Sequence, residues 1–318
     1  MEASNSVNVL VYGSAIVDFI CYVDRLPKPG ETLLGTKFTN GFGGKGANQC
    51  VAAARLGSHT AFIAKVGDDT WGNDYIKHLQ EEGVNIDYVQ KCEGKTTGIA
   101  QIAVSDDGEN NIIIVPGAND YLDQDIVAEA SSLFNTAKIL LCQLETPPMG
   151  TLKALKSFKG ISILNAAPAM ANTPKELLAC CTILCVNETE AAVMTGVNDI
   201  KTIYDAREAA IKLREMGAST IIVTLGSQGA IYIEKSNPQL CIHVPAHKVN
   251  VVDTTGAGDA FLGSLAYHME KFPEKPLHQH IGFANYQAAY SVQFPGTQSS
   301  FASASMSNQC EEYAFETI

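Results

Sequence analysis

The chain encodes an α/β fold: a doubly wound, largely parallel sheet with helices on both faces, plus a small β-sheet lid. Three observations predict it. Short β-branched runs alternate with longer stretches of helical period, the pattern of strand–helix–strand units. Two segments break that alternation with strand-like runs joined by turns and no helix between them. Hydrophobic residues make up 46% of the 318 positions and charged residues 18%. The charged share falls below the roughly 25% of an average soluble domain, which implies a thick interior.

Core strands are expected at residues 7–12, 61–66, 138–143, 162–165, 182–186 and 220–224. Helical patterns occupy 47–56, 72–82, 153–158, 188–194 and 204–216, and a further one covers 260–270. In 204–216, Ala206, Ala210, Leu213 and Met216 share one face at three- and four-residue spacing. The exceptions are 19–42 and 97–115; in the second, Asp106-Asp107-Gly108 turns one strand-like run back on the next. These insertions, spanning about 15–42 and 97–116, are read as antiparallel additions that form one lid on a single domain covering 1–318. No linker, internal repeat or low-complexity tract divides the chain, and only 302–318 reads as loosely specified. In such a sheet a site is expected beyond the carboxyl ends of the strands.

Composition excludes several functions. Twenty-two Lys and Arg against 34 Asp and Glu give a net charge of −12 with no basic block, which argues against nucleic acids and acidic membranes as partners. The apolar stretch 7–23 is broken by Asn8 and Asp18, and the first residues lack a cationic leader. Nine cysteines, with no C-x-x-C pair, read as reduced thiols, Cys180, Cys181 and Cys185 included. A reducing compartment, cytoplasm or nucleus, is the expectation. The seven histidines show no metal pattern: His243 and His247 flank Pro245, and His278 and His280 lie near a helix start. Trp71 and the scattered tyrosines make no base-stacking platform.

Two glycine clusters carry chemistry. Val251-Val252-Asp253-Thr254-Thr255-Gly256-Ala257-Gly258-Asp259 precedes a helical run. Small residues there let backbone N–H groups converge at a helix start, an anion site, with Asp259 in the first turn beside it. A carboxylate so placed can take a proton from a hydroxyl while developing charge is stabilised. The same residues also read as an N-cap turn with an acid that favours the helix dipole. The second cluster, Gly41-Phe42-Gly43-Gly44-Lys45-Gly46-Ala47-Asn48-Gln49, matches G-x-G-x-x-G, with Asp68 about twenty residues on. That match supports an NAD-dependent oxidoreductase as a competing reading. It follows a lid-like stretch and not the first core strand, however, and neither Ser nor Thr follows Lys45 as a Walker loop needs. What the segment offers is close backbone approach, an amine and an amide, suited to a polyhydroxylated ligand.

Gly44-Lys45-Gly46-Ala47-Asn48-Gln49 and Asp253 to Asp259 resemble the two signature regions of the ribokinase (PfkB-type) sugar kinase family, in that family's order and separation. Gln143-Leu144-Glu145, Asn187-Glu188-Thr189-Glu190, the loop Thr224 to Gly229 and Gly296-Thr297-Gln298-Ser299-Ser300 resemble further elements, so the similarity runs from about residue 7 to about 300. It is greatest in the ribose-specific branch, because Gly-Gly-Lys-Gly-Ala-Asn-Gln is narrower than the general sugar-kinase pattern.

The resemblance implies ATP-dependent phosphorylation of D-ribose at its 5-hydroxyl, with kinases for deoxyribose, fructose or a nucleoside such as adenosine as alternatives. It implies Asp259 as general base and the amides of Gly256, Ala257 and Gly258 as anion hole. Asp18, Gly44, Lys45, Gly46, Ala47, Asn48 and Glu145 would face the sugar, with Ile16 where many bacterial relatives have Asn. Asn187, Glu190, Thr224, Leu225, Gly226, Ser227, Gln228, Gly229, Gly258 and Asn285, the last on what reads as the penultimate helix, would face ATP. Asn187 and Glu190 lie one helical turn apart, a spacing that suits Mg²⁺ and its waters, although acids also commonly decorate a first turn. The carbonyls of Asp253, Thr255, Ser291, Phe294, Gly296 and Ser300 would bind K⁺. A homodimer through the lid strands is also implied. Asn165-Ala166-Ala167-Pro168-Ala169 departs from the family's Asn-Pro-Ala-Pro-Ala; this and Ile16 bear on specificity, not on reaction type.

Overall fold

The computed structural model describes residues 6–197, 199–306 and 312–318. In chain order the elements are β1 (Val9–Tyr12), β2 (Ile16–Val23), β3 (Lys37–Gly43), α1 (Lys45–Arg55), β4 (Thr60–Gly67), α2 (Thr70–Glu81), β5 (Asn85–Cys92), β6 (Gly98–Ser105) and β7 (Asn110–Val115). Then come α3 (Asp125–Glu129), α4 (Ser131–Thr136), β8 (Ile139–Cys142), α5 (Pro148–Ser157), β9 (Ile161–Asn165), α6 (Lys175–Cys180), β10 (Ile183–Asn187), α7 (Glu188–Thr195) and α8 (Ile203–Glu215). β11 (Thr220–Thr224), β12 (Ala230–Ile233), β13 (Cys241–Val244), α9 (Ala257–Lys271), α10 (Leu277–Ser291) and β14 (Glu316–Thr317) complete the fold.

Ten strands form one sheet in the order β14-β13-β12-β11-β10-β9-β8-β1-β4-β5. From β11 to β5 every neighbouring pair is parallel; β12, β13 and β14 add an antiparallel edge. The chain starts in the middle at β1 and winds outward both ways, so a switch point lies between β1 and β8. Successive residues of each strand point to opposite faces. Leu10, Tyr12, Leu140, Cys142 and Leu184 therefore pack in one core layer, and Val9, Val11, Ile139, Leu141 and Cys185 in the other. Burial on both faces explains the near-continuous apolar runs.

All six expected core strands are present, with ends moved by a residue or two. β5 was not foreseen because its sequence, Asn-Ile-Asp-Tyr-Val-Gln-Lys-Cys, belongs to a half-exposed edge and lacks an apolar run. β12 and β13, four residues each, were too short to stand out. The end of the chain is better specified than expected, since Glu316–Thr317 pairs with β13. Residues 307–311, with Cys310, lie outside the described residues.

The lid is a four-stranded sheet, β3-β2-β6-β7. Pairing is antiparallel within each insertion, as expected, while the two insertions join through parallel β2–β6 pairing from Ile16↔Gly98 to Val23↔Ser105. Phe19 stands edge-on to Trp71 of α2 at 5.0 Å, and Phe42 stacks on His78 at 4.4 Å, tying the lid to the core. Along the outer strand Ile112, Ile113, Ile114 and Val115 are exposed, as is Phe38 of β3.

Helix α1 packs on α9 through small residues. A Cβ added at Gly263 would lie 2.5 Å from the Cβ of Ala52 and 2.6 Å from the carbonyl oxygen of Gln49, so this close approach requires glycine.

Candidate active site

The residues that could do chemistry gather at the carboxyl ends of the parallel strands: Ser14 after β1, Gln143 and Glu145 after β8, and Asn165, Asn187 and Thr224 ending β9, β10 and β11. Helix α9 points its N-terminus into this ring. Its cap, Gly256, has φ 77°. An L side chain is strained there and its Cβ would meet Thr297 at 2.5 Å. Gly256 and Gly258 present their N–H groups at a helix start, where no preceding helical carbonyl takes them. The Ala257 N–H donates to the Thr254 carbonyl at 3.2 Å, so this third expected anion-hole amide is committed to the turn.

Asp259 is 8% exposed and both its oxygens accept hydrogen bonds, Oδ2 from Asn48 Nδ2 at 2.9 Å and Oδ1 from Gln49 Nε2 at 3.0 Å. Asn48, expected to face the sugar, thus also faces the candidate base. Glu145 Oε2 accepts from Ser14 Oγ at 2.5 Å and from the Lys45 N–H at 2.8 Å. Burial pushes the Glu145 carboxyl up, opposed by the Lys45 charge. Burial alone would lower Lys45, but the carboxylates of Asp259, Glu145 and Glu190 outweigh it and hold the ammonium above its usual range. Asp18 on β2 is lifted to about 7 by burial, with Glu145 and Asp259 adding to it. Four acids and one lysine therefore share one electrostatic cluster.

Two cavities meet at α9. The first, about 170 Å³, is lined by Lys45, Asn165, Asn187, Glu190, Thr224 and the turn Gly256–Asp259. Asn187 and Glu190 form a capping box on α7: the Glu190 N–H donates to Asn187 Oδ1 at 2.7 Å, and the Asn187 N–H donates to Glu190 Oε2 at 2.9 Å. The structure realises the helix-cap reading of this pair, and both oxygen-bearing residues line the cavity. Glu190 has one oxygen committed, so the pair suits a Mg²⁺ held through water better than one held directly. Among the described residues no group of three or more His, Cys, Asp or Glu is placed to hold a metal ion.

The second cavity is a groove of about 760 Å³. Thr224, Gly226, Ser227, Gly229, Gly258 and Asn285, all implied by the resemblance to face ATP, line it together with apolar Val249, Val251, Ala288, Ala289 and Val292. This is room and surface for a flat apolar ring system. Leu225 and Gln228 stand apart. The Leu225 side chain is buried in the core, and the Gln228 amide donates to the Lys201 carbonyl at 2.9 Å. Asn285 donates to the carbonyls of Val244 and Pro245 at 3.0 and 3.3 Å, fixing the groove wall. Its helix, α10, is the last α-helix among the described residues, not the penultimate one. Ile16 is buried within β2. A Cβ at Gly46 would meet Ser14 N at 2.6 Å, and the Ala47 N–H donates to the Ser14 carbonyl, so these two residues dock α1 against β1. At Gly44, φ is 86°.

Asp253 laces two loops together, accepting from the Thr255 N–H and the Gly296 N–H, each at 2.9 Å. These bonds outweigh burial and hold its carboxyl below the usual range. The loops carry the carbonyls of Asp253, Thr255, Ser291, Phe294, Gly296 and Ser300. An anionic clasp among hard oxygen donors fits a monovalent cation, although the Ser291 carbonyl already accepts from the Phe294 N–H at 3.1 Å.

Sequence reasoning missed Ser14, Gln49, Asn165 and Gln298 as site residues. Gln49 and Gln298 stood inside recognised motifs, and nothing in their spacing marked them as partners. The G-x-G-x-x-G match ends lid strand β3 and opens α1, while Asp68 pairs with Lys91 at 3.9 Å, which is not a dinucleotide-binding arrangement. Cys181 and Cys185 are buried and burial pushes both thiols up, in keeping with inert reduced cysteines.

A family model described as pfkB family carbohydrate kinase matches residues 7–304. Among curated relatives, a ribokinase of Mus musculus is 42% identical over 305 residues, covering 94% of this chain and 93% of that protein. A deoxyribokinase of Salmonella typhi is 37% identical over 308 residues, covering 95% and 98%. The solved structure of Arabidopsis thaliana ribokinase complexed with ribose and ATP superposes with a TM-score of 0.87 at 32% identity, covering 95% of this chain and 97% of that one.

Proposed function

The chain belongs to the pfkB family of carbohydrate kinases, and from that premise we propose that it is a ribokinase, moving the γ-phosphoryl group of ATP to the 5-hydroxyl of D-ribose to give D-ribose 5-phosphate and ADP. The observation that carries the reading is Asp259, buried in the first turn of α9 on the wall of the small polar cavity, next to Gly258, which borders both that cavity and the groove. In this reading Asp259 takes the proton of the sugar hydroxyl as its oxygen attacks phosphorus in line. Asp18 and Glu145 accept bonds from other hydroxyls, since carboxylates satisfy vicinal diols well. The Lys45 ammonium and the N–H groups of Gly256 and Gly258 bear the charge that builds on the transferring group. The groove takes the adenine, with Thr224 to Gly229 along the ribose and phosphates.

Two ions belong to the proposal. Asn187 and Glu190 would hold Mg²⁺ through water, and that ion supplies charge neutralisation at the phosphates. K⁺ would sit among the carbonyls laced by Asp253, and supplies order to the turn that carries the anion hole. A homodimer through the lid is supported by the exposed apolar residues Ile112–Val115 on one edge strand, β7, and Phe38 on the opposite edge strand, β3, which a second copy would cover. Conversion of Ile113 to Lys is expected to yield monomers in sedimentation velocity. The cytoplasm or nucleus fits the eight free thiols among the described residues.

The Salmonella relative keeps deoxyribose as a second reading. Rates of ATP-dependent phosphorylation of ribose, 2-deoxyribose, fructose and adenosine, compared as kcat/KM, test both. Ribose leading the series is the expected result; deoxyribose or adenosine ahead of it overturns the substrate, and no ATP consumption with any of them overturns the activity.

A further inference from the structure

We propose that Gln298 and Gln143 are positioning residues for Asp259, the outer ends of a directional chain of side-chain amides that grips its carboxylate from two sides. The inference rests on Asp259 being the base. On one side Gln298 Nε2 donates to Asn48 Oδ1 at 2.9 Å, and Asn48 Nδ2 donates to Asp259 Oδ2 at 2.9 Å. On the other, Gln143 Nε2 donates to Gln49 Oε1 at 2.6 Å, and Gln49 Nε2 donates to Asp259 Oδ1 at 3.0 Å. All four amide side chains belong to residues at most 5% exposed.

The chain has a sense because a primary amide donates at one end and accepts at the other. The ionised Asp259 carboxylate draws both NH₂ groups inward, Asn165 Oδ1 also accepts from Gln49 Nε2 at 3.2 Å, and Gln298 and Gln143 reinforce that sense by donating to the outward oxygens of Asn48 and Gln49. Gln298 is itself anchored. His78 Nε2 lies 2.6 Å from Gln298 Oε1, and the Arg55 guanidinium donates to the Gln298 carbonyl while paired with Glu82. His78 stacks on Phe42 of the lid, so this arm runs without a break from lid strand β3 to the carboxylate.

Isosteric replacement separates positioning from filling. An ionised Glu at 298 cannot donate to Asn48, whose amide then turns its NH₂ outward and its oxygen toward Asp259. A Met at 298 fills the space and neither pins nor turns Asn48. The experiment measures kcat, the KM for ATP and the thermal unfolding midpoint for Gln298→Glu, Gln298→Met, Gln143→Glu and Asp259→Asn. The expected result is a kcat loss of roughly 10- to 100-fold in both Glu variants, about threefold in Gln298→Met, and a KM for ATP within about twofold of native throughout. The proposal is overturned by Glu variants with native kcat, or by equal losses in Gln298→Glu and Gln298→Met that track their unfolding midpoints. If the Glu variants do not fold, Gln298→Met decides alone: a lower kcat at unchanged KM for ATP and unchanged midpoint supports the proposal, and a native kcat overturns it. Asp259→Asn separates the two levels. Near-native turnover in that variant removes the base itself, whereas an inactive Asp259→Asn beside fully active Gln variants removes only the amide chain.

Discussion

The two halves of the site are built from opposite materials. One half gathers buried Asp259, the half-buried acids Asp18, Glu145 and Glu190, one lysine and a run of amides, with both oxygens of Asp259 held by named donors. Beside it, the groove is lined by apolar Val249, Val251, Phe261, Ala288, Ala289 and Val292, with no acid and with polar groups from Thr224, Ser227, His247, Lys248, Thr254 and Asn285. In the proposed reading the first half would recognise by charge and direction, the second by shape. Damage should therefore read out differently. Changes in the charged half should act on turnover and on pH dependence, and changes in the groove on the KM for ATP alone.

The largest effect expected is that of Asp259→Asn, which keeps the shape and the Asn48 contact but removes the proton acceptor. Turnover should fall by about 10³-fold while sugar binding by calorimetry persists; a variant that turns over normally would erase the distinction between the halves. Next is Ala288→Phe, which fills the groove without touching the acid cluster. The KM for ATP should rise about tenfold and the KM for the sugar should hold, whereas a matching rise in both would mean that the halves are coupled.

Asp18 sharpens the contrast through pH. Burial, with Glu145 and Asp259, raises its folded pKa to about 7. The folded chain therefore retains a proton that the unfolded chain has released, from the ordinary carboxylate range up to about pH 7. Stability falls as pH climbs through that window, and the penalty is complete above it. Asp18→Asn should flatten the fall and raise the melting temperature at pH 8 by about 5 °C, while weakening sugar binding about tenfold. A melting temperature that moves equally at pH 5 and pH 8 would rule out this origin. The smallest effect belongs to Asn285→Ala. Releasing the Val244 and Pro245 carbonyls loosens the groove wall and should raise the KM for ATP about threefold at constant kcat, as initial-rate kinetics can check.

The same contrast explains what could be read in advance. Asp259 and Lys45 were legible because charged residues among glycines are rare, Glu145 because it sat in a recognisable motif, and Asp18 only as a charge interrupting an apolar run. The groove was not, because Ala288, Ala289 and Val292 look like any apolar helix face until folding sets them in one lining with the loop Thr224 to Gly229. Asn187 and Glu190 pointed both to a helix cap and to a cation site, and the structure shows the cap. Gln49 and Gln298 were hidden for another reason. An amide's role depends on which way it faces, and their partners are brought together by folding from 210 and 250 positions away along the chain. Edge strands escaped likewise: β5 is half polar, and β12 and β13 are too short to show a period.

Gly263 lies one turn beyond Asp259, where α9 touches α1 with no room for a methyl group. The helices that start at the two glycine-rich motifs thus meet like the arms of a caliper, and their separation at the seam sets the gap at the tip. Added bulk at Gly263 or Ala52, though remote from any bound sugar, would widen that gap and move Gln49 away from the carboxylate it holds. Substitutions along this seam should behave as defects of catalysis before they behave as defects of folding.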